Sequence, residues 1–120
     1  MSHSRQDIED YHEGDALLIP LIVRDSKDER VDLGEAEVEY LIKEDRLDAD
    51  EDAELEKTTD GGGIEIVDEE IGEAEILIET GDTEGWIPED QEDITLHHVC
   101  RVTIDDKRAT VFTGSFTIVI

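Results

Sequence analysis

Carboxylates are the residues of this chain best suited to do chemistry, since 36 of its 120 residues are Asp or Glu. Asp48, Asp50 and Asp52 have the alternate spacing with which a calcium-binding loop begins. Such a loop also needs glycine at its sixth position and glutamate at its twelfth, where this chain has Ala53 and Thr59. We therefore expect a solvated loop that binds cations only weakly and without specificity, and we predict no metal site and no cofactor.

Histidines are the next candidates, because two of the four are adjacent in the chain. His97 and His98 lie in a run that reads as a strand, so their side chains should point to opposite faces and cannot chelate one metal ion. His98 shares its parity with Leu96 and Cys100, which predicts that it is buried or at an interface, whereas His97 should be exposed.

Nucleophiles are poorly placed for catalysis. None of the serines lies in a G-x-S-x-G elbow. Cys100 is the only cysteine, and its alternating position in a strand predicts a buried, inert thiol. Gly61-Gly62-Gly63 precedes a strand rather than a helix, so no helix N-terminus is offered to an anion there. We predict that the protein is not an enzyme.

The net charge of −26 limits both the medium and the partners. Self-repulsion of this size destabilises a compact fold at ordinary ionic strength. At about 1 M salt the Debye length is only about 3 Å, and the repulsion is screened. An acidic shell with four lysines is therefore typical of a high-salt, halophilic protein. The scarcity of Lys and Arg argues against binding to nucleic acid or to an anionic membrane.

The elements that must carry these residues are strands. Apolar residues alternate with carboxylates in Glu35–Ile42, where Ala36, Val38, Tyr40 and Ile42 should face a core. Acidic chains with few aromatic residues can be disordered, but such periodic apolar segments indicate a fold. We predict a polar, flexible arm over residues 1–13 and one all-β domain over residues 14–120, an antiparallel β-sandwich of about seven strands. The predicted strands are 16–23, 35–42, a short one near 53–57, 64–67, 73–79, 94–104 and 108–120.

Three local features refine this prediction. Pro20 lies inside an apolar run and cannot donate to a sheet, which predicts an edge strand or a broken one. Gly114 inside the last strand suggests a β-bulge. Asp105-Asp106-Lys107 reads as the turn of a long hairpin in the middle of one sheet. No apolar run reaches the length of a membrane span and no signal peptide is visible, so we expect folding in the cytoplasm or export by a route that needs no signal peptide.

The order of short segments resembles a known family. Gly14-Asp15 opens an apolar strand, Val31-Asp32-Leu33-Gly34-Glu35-Ala36 opens another, and Thr113-Gly114-Ser115-Phe116-Thr117-Ile118 closes the chain. This order is similar to that of the immunoglobulin-like β-sandwich domains of tailed-phage virion proteins, in particular the N-terminal domain of upper baseplate proteins. The resemblance covers residues 14–120 and implies an immunoglobulin-like fold.

Together with the acidic shell, the resemblance implies a non-enzymatic structural or assembly component of a haloarchaeal tailed virus. It would belong to the tail, baseplate, neck or capsid surface and would work by docking to other virion proteins, including copies of itself. The expected location is the virion, assembled in the host cytoplasm and exposed to high salt. The alternative is a soluble binding or accessory domain of a halophilic archaeal host.

The contact surface should lie where carboxylates are sparse, because interfaces are depleted of charge at their centre. Leu17–Val23 is apolar on both faces, and Thr110–Ile120 contains no charged residue. We expect Phe116, Ile118 and Ile120 to face the core. The predicted contact residues are then the outward ones of the two stretches: Leu18, Ile22, Thr113, Ser115 and Thr117.

Overall fold

The computed structural model describes residues 4–25, 27 and 29–120. Within them, the regular structure consists of strands and one short 3₁₀ turn at Asp50–Asp52. The strands are β1 (Ser4–Arg5), β2 (Ile8–His12), β3 (Leu17–Ile22), β4 (Glu37–Lys43), β5 (Leu55–Thr58), β6 (Ile64–Asp68), β7 (Glu73–Ile78), β8 (Asp93–Ile104) and β9 (Lys107–Val119).

These strands form two sheets. The larger sheet has the order β1-β9-β8-β4-β5, with β2 also paired to β9, and the smaller sheet has the order β3-β7-β6. Neighbouring strands are antiparallel, except that β1 and β2 run parallel to β9. The arrangement is nearly all-β and compatible with the predicted β-sandwich. The seven predicted strands are all present, and β1 and β2 are additional.

One hydrophobic core lies between the sheets. It follows from the period-two alternation: Val38, Tyr40 and Ile42 of β4 are fully buried together with Ile76 and Ile78 of β7. Burying each such side chain contributes about 1.5–3 kcal/mol relative to leaving it in water. Glu37 and Glu39 of β4 and Glu75 of β7, on the opposite parity, are thereby directed away from the core.

Strand β3 is an edge strand, as Pro20 predicted. It pairs with β7 alone, and Pro20 lies opposite Glu75. Ile19 and Leu21 are buried in the core, whereas Leu18, Pro20 and Ile22 are exposed on the other face.

The long hairpin of β8 and β9 lies in the middle of the larger sheet, as predicted. Its two-residue loop places both Asp105 and Asp106 at positive φ, 51° and 63°. This is the backbone of the tight hairpin turns that match the twist of paired strands, and Asp tolerates it better than most residues. The irregularity in β9 lies between Thr110 and Phe112, so the bulge predicted at Gly114 is wrong.

Residues 4–5 and 8–12, which the sequence places in a polar arm, are in strands along β9. Their pairing depends on backbone groups, which hydropathy does not reveal. Gly114 has its role here: a Cβ at this position would lie 1.8 Å from the carbonyl oxygen of Gln6. The absence of a side chain lets the N-terminal segment cross β9 at close range.

Candidate interaction surfaces

The predicted contact residues lie on two opposite surfaces of the molecule. Because the inner faces of both sheets share one core, their outer faces point in opposite directions. Leu18 and Ile22 are on the outer face of the smaller sheet, which we call the small face. Thr113, Ser115 and Thr117 are on the outer face of the larger sheet, which we call the large face.

The small face carries exposed apolar side chains along its edges. Leu18 is 51% exposed and lies opposite Leu77, which is 38% exposed. Ile22 is 45% exposed, and Val67 of β6 is 53% exposed. Two shallow depressions of about 340 and 210 Å³ lie between these residues. The sequence predicted Leu18 and Ile22, whereas Leu77 and Val67 were missed because their strands read as ordinary alternating ones.

Carboxylates occupy the middle of the small face. Glu65 of β6 lies directly opposite Glu75 of β7, and like charges in this position destabilise a strand pair. Glu73 is next along β7 and pairs with Arg30, with 3.4 Å between Nη1 and Oε1. The small face is therefore apolar at its margin and negatively charged at its centre.

The large face presents hydroxyl groups, as predicted for the last strand. Thr113, Ser115 and Thr117 are partly exposed, while Phe116 and Ile118 are buried on the other side of β9. Thr117 and its neighbour Thr95 on β8 have their hydroxyl oxygens 3.1 Å apart.

Two details of the predicted face differ from the structure. Ile120 is 74% exposed because it follows the end of β9, so its assignment to the core is wrong. Ser115 is already engaged, since its backbone N–H and its hydroxyl both donate to the carboxylate of Asp7, at 2.9 and 3.2 Å. These bonds lower the pKa of Asp7.

A second part of the large face is covered by the loop between β4 and β5. Asp50 accepts from Lys43 Nζ and Arg101 Nη1, both at 2.7 Å, and Arg108 Nη1 lies 3.6 Å away. The hydrogen bond from Lys43, followed by that from Arg101, lowers the pKa of this carboxyl group. Asp50 was predicted to be a solvated residue of the loop, but it joins cations from three strands.

This ion-pair cluster explains two buried apolar residues outside the core. Leu41 and Val99 are opposite each other on the large face and are nonetheless 0% and 5% exposed. Lys43 and Arg101, which lie two residues beyond them on the same strands, are tied to Asp50. The Asp50 loop is thus held over this end of the face, and the open remainder is the part with Thr95, Thr113 and Thr117.

His97 lies in this open part of the large face. It lies opposite Ser115 on the large face and is half-buried rather than exposed as predicted. Its pKa is lowered by burial and then by the positive charges of Arg46, Lys43 and Arg5. The negative charge of Asp45 opposes this shift, and two of the three cations are themselves paired, Arg5 with Asp7 and Lys43 with Asp50.

His98 fastens the N-terminal segment to the core. It is fully buried, as predicted, with Nε2 2.6 Å from the carbonyl oxygen of Gln6 and Nδ1 2.9 Å from the hydroxyl of Tyr40. A carbonyl oxygen can only accept, so Nε2 carries the proton and Nδ1 accepts from Tyr40. Burial lowers the pKa of His98, which keeps the ring neutral.

The remaining candidates for chemistry are located as follows. Cys100 is fully buried, as predicted, and burial raises the pKa of its thiol to about 12. Among the described residues, no three His, Cys, Asp or Glu side chains are grouped so that they could hold a metal ion. The weak cation binding expected at Asp48–Asp52 stays a prediction.

No protein-family model matches the chain, and comparison with curated proteins and with solved structures gave no significant match. In the part of the chain that the structure describes, no helix has the length and apolar character needed to cross a membrane.

Proposed function

We propose that this protein is a non-enzymatic docking component of a larger assembly that works at high salt. On the resemblance of its segments, the assembly is the particle of a haloarchaeal tailed virus, and the domain is an immunoglobulin-like β-sandwich. The partners are other virion proteins and further copies of this chain.

The strand order supports the fold part of the proposal. Immunoglobulin-type sandwiches of the variable class place strands G, F, C and C′ in one sheet and B, E and D in the other. If β3 to β9 are lettered in chain order as B, C, C′, D, E, F and G, the orders β9-β8-β4-β5 and β3-β7-β6 become G-F-C-C′ and B-E-D. Cys100 lies on β8, which would be the F strand, and the chain has no second cysteine for the disulfide of antibody domains.

The apolar margin of the small face is the observation that supports docking most directly. A chain with 36 acidic residues keeps Leu18, Ile22 and Leu77 exposed together on one sheet face. High salt strengthens the burial of apolar surface, because salts that are excluded from protein surfaces favour the removal of such surface from water. A contact made at this margin would thus gain stability in the same medium that screens the charge of the protein.

A charge placed in this margin should test the function. Leu18→Glu should leave the fold intact, since the side chain is half exposed, but should prevent incorporation into particles. Leu47→Glu is the matched control, because Leu47 is 82% exposed in the β4–β5 loop and the same charge is added.

The experiment compares tagged wild-type, Leu18→Glu and Leu47→Glu proteins in a haloarchaeal culture that produces tailed particles. Particles are purified in high salt and their proteins are identified by mass spectrometry. We expect the wild type and Leu47→Glu in the particles and Leu18→Glu in the soluble fraction. Absence of the wild type from the particles contradicts the virion role, and equal incorporation of all three contradicts docking by the small face.

A further inference from the structure

Trp86 differs from the other large aromatic residues of the chain in its exposure. The chain has one Trp, two Tyr and two Phe. Four of the five are buried in the core: Tyr11, Tyr40, Phe112 and Phe116. Trp86 lies in the loop between β7 and β8, where it packs against the core and leaves part of its surface in solvent. A side chain at Gly85, the residue before it, would meet nothing within 4 Å, so the space beside Trp86 is open.

Trp86 lines a depression of about 220 Å³, which we call the Trp86 depression. Ile94 and Leu96 of β8 give it an apolar lining, and Leu96 is also part of the core. Glu44 and Glu54 line it from the two ends of the β4–β5 loop, and both are exposed. Three separate segments of the chain thus bring an aromatic ring, aliphatic side chains and two carboxylates to one place.

The charge of the Trp86 depression is not balanced from within the molecule. Within residues 4–25, 27 and 29–120, the side chains of Glu44 and Glu54 make no hydrogen bond or ion pair, and no Lys or Arg lines the depression. A third carboxylate is close by, because Glu13 Oε1 accepts from the backbone N–H of Gly85 at 3.2 Å. The depression is therefore negatively charged and offers its carboxylates to a group from outside the molecule.

We propose that the Trp86 depression binds an arginine side chain of a partner protein. The face of a tryptophan ring attracts a cation that lies within about 6 Å of it. A carboxylate binds the guanidinium group through parallel N–H donors. The inference goes beyond the proposed function, because the depression is separate from the small face and its ligand is a charged group rather than an apolar one.

The lining of the depression favours arginine over other cations. Guanidinium is planar and weakly hydrated and stacks on aromatic rings, whereas the ammonium group of lysine is compact and strongly hydrated. The aliphatic part of an arginine side chain can pack against Ile94, a contact that the inorganic cations of a high-salt medium do not make. The volume of about 220 Å³ lies below the range of about 300–1,000 Å³ that is usual for small-molecule sites, and it suits one side chain.

Two double variants separate this site from the general acidity of the chain. Glu44→Gln with Glu54→Gln removes both carboxylates of the depression and keeps the size of the side chains. Glu65→Gln with Glu75→Gln is the matched control, because it removes the same charge from a depression on the small face whose lining includes glutamates and no aromatic residue. All four side chains are at least partly exposed, so both variants should fold, and circular dichroism checks this.

Trp86 is the only tryptophan, so its fluorescence reports binding at the site itself. The full-length proteins are titrated in about 2 M KCl with the blocked tripeptide acetyl-Gly-Arg-Gly-amide, up to about 50 mM. The uncharged probe is the same peptide with citrulline, which has nearly the shape of arginine. We expect a saturable change in emission with the arginine peptide at a Kd of about 10 mM. Binding should be about tenfold weaker for the citrulline peptide and for Glu44→Gln with Glu54→Gln, and within about twofold of wild type for the control.

Three results would overturn the proposal: no saturable change in the wild type, equal binding of the citrulline peptide, or an equal loss of binding in the Glu65 and Glu75 control. The last would show that arginine responds only to the net charge of the chain. None of them affects the test of the proposed function, because Leu18 lies on the small face and is not part of the Trp86 depression. Conversely, incorporation of Leu18→Glu into particles would contradict docking by the small face and leave the arginine site standing.

Discussion

Gly114→Ala should destabilise the protein through the N-terminal segment rather than through the backbone of β9. Gly114 does not have the left-handed φ that disfavours alanine, so its own conformation accepts a side chain. The added Cβ would lie 1.8 Å from the carbonyl oxygen of Gln6, and real Cβ atoms essentially never approach closer than 3.0 Å. Gln6 must therefore move away.

The expected loss of folding stability follows from the hydrogen bonds that this movement breaks. His98 Nε2 loses its acceptor, the Gln6 carbonyl at 2.6 Å, and a buried donor without a partner costs about 1–3 kcal/mol. The hydrogen bond from Gln6 N–H to the Thr113 carbonyl contributes about 0.5–1.5 kcal/mol more. Alanine has a lower chain entropy than glycine in the unfolded state, and this offsets about 0.4–1 kcal/mol of the lost stability. We expect a net loss of about 2 kcal/mol, the middle of a range of about 0.5–4 kcal/mol.

Urea unfolding in about 2 M KCl, followed by the fluorescence of the single tryptophan, measures this loss. The control is the same substitution in a chain without residues 1–7. The three atoms nearest to the added Cβ all belong to Gln6 and Asp7, so Gly114→Ala should not destabilise the shortened chain and should stabilise it by about 0.4–1 kcal/mol through the unfolded-state entropy alone. An equal loss in both chains would refute the reasoning and place the strain inside β9.

Three further predictions concern the solution conditions. The thermal midpoint should rise steadily between about 0.1 and 2 M KCl, because screening relieves the self-repulsion of a chain with net charge −26. Equal midpoints at both salt concentrations in differential scanning calorimetry would contradict the high-salt interpretation. Burial lowers the pKa of His98 in the fold, so the unfolded chain binds the extra proton and stability should fall as pH drops below about 6.5. His98→Gln should show a smaller fall in the same urea titrations, and identical pH profiles of the two proteins would contradict this role of His98. Calorimetry in high salt should find no stoichiometric, micromolar calcium site at Asp48–Asp52, because the turn glycine and closing glutamate are missing and Asp50 already pairs with Lys43.

Local patterns were sufficient to predict most of the strands. Alternation in β4 and β7 identifies their buried faces, Pro20 marks an edge strand, and Asp105-Asp106 marks a hairpin. Each of these signals depends on residues that are neighbours in the chain. The outward direction of Leu18 and the β9 hydroxyl row follows from the same alternation.

The features that the sequence did not predict depend on contacts between residues far apart in the chain. β1 and β2 contain few apolar residues, and they are held by backbone pairing with β9 and by Asp7, whose partner Ser115 is 108 positions away. Gly114 suggested a bulge by its position in a strand, but its actual role appears only when Gln6 is beside it. Asp50 could not be separated by sequence from the other carboxylates of its loop, because its cations come from three different strands.

The parallel pairing of β1 and β2 with β9 has a consequence for biosynthesis. A ribosome makes Gln6 long before His98, which lies 92 positions later, and β9, with which both segments pair, follows His98 in the chain. Until then the N-terminal segment has no partner, and the site it will occupy on β9 does not exist. Contacts between residues so far apart slow folding, because the chain entropy of the long loop is lost before the contact contributes any stabilising free energy. We therefore expect closure of this segment to be the final and slowest step in the folding of this domain, completed only after β9 has been synthesised.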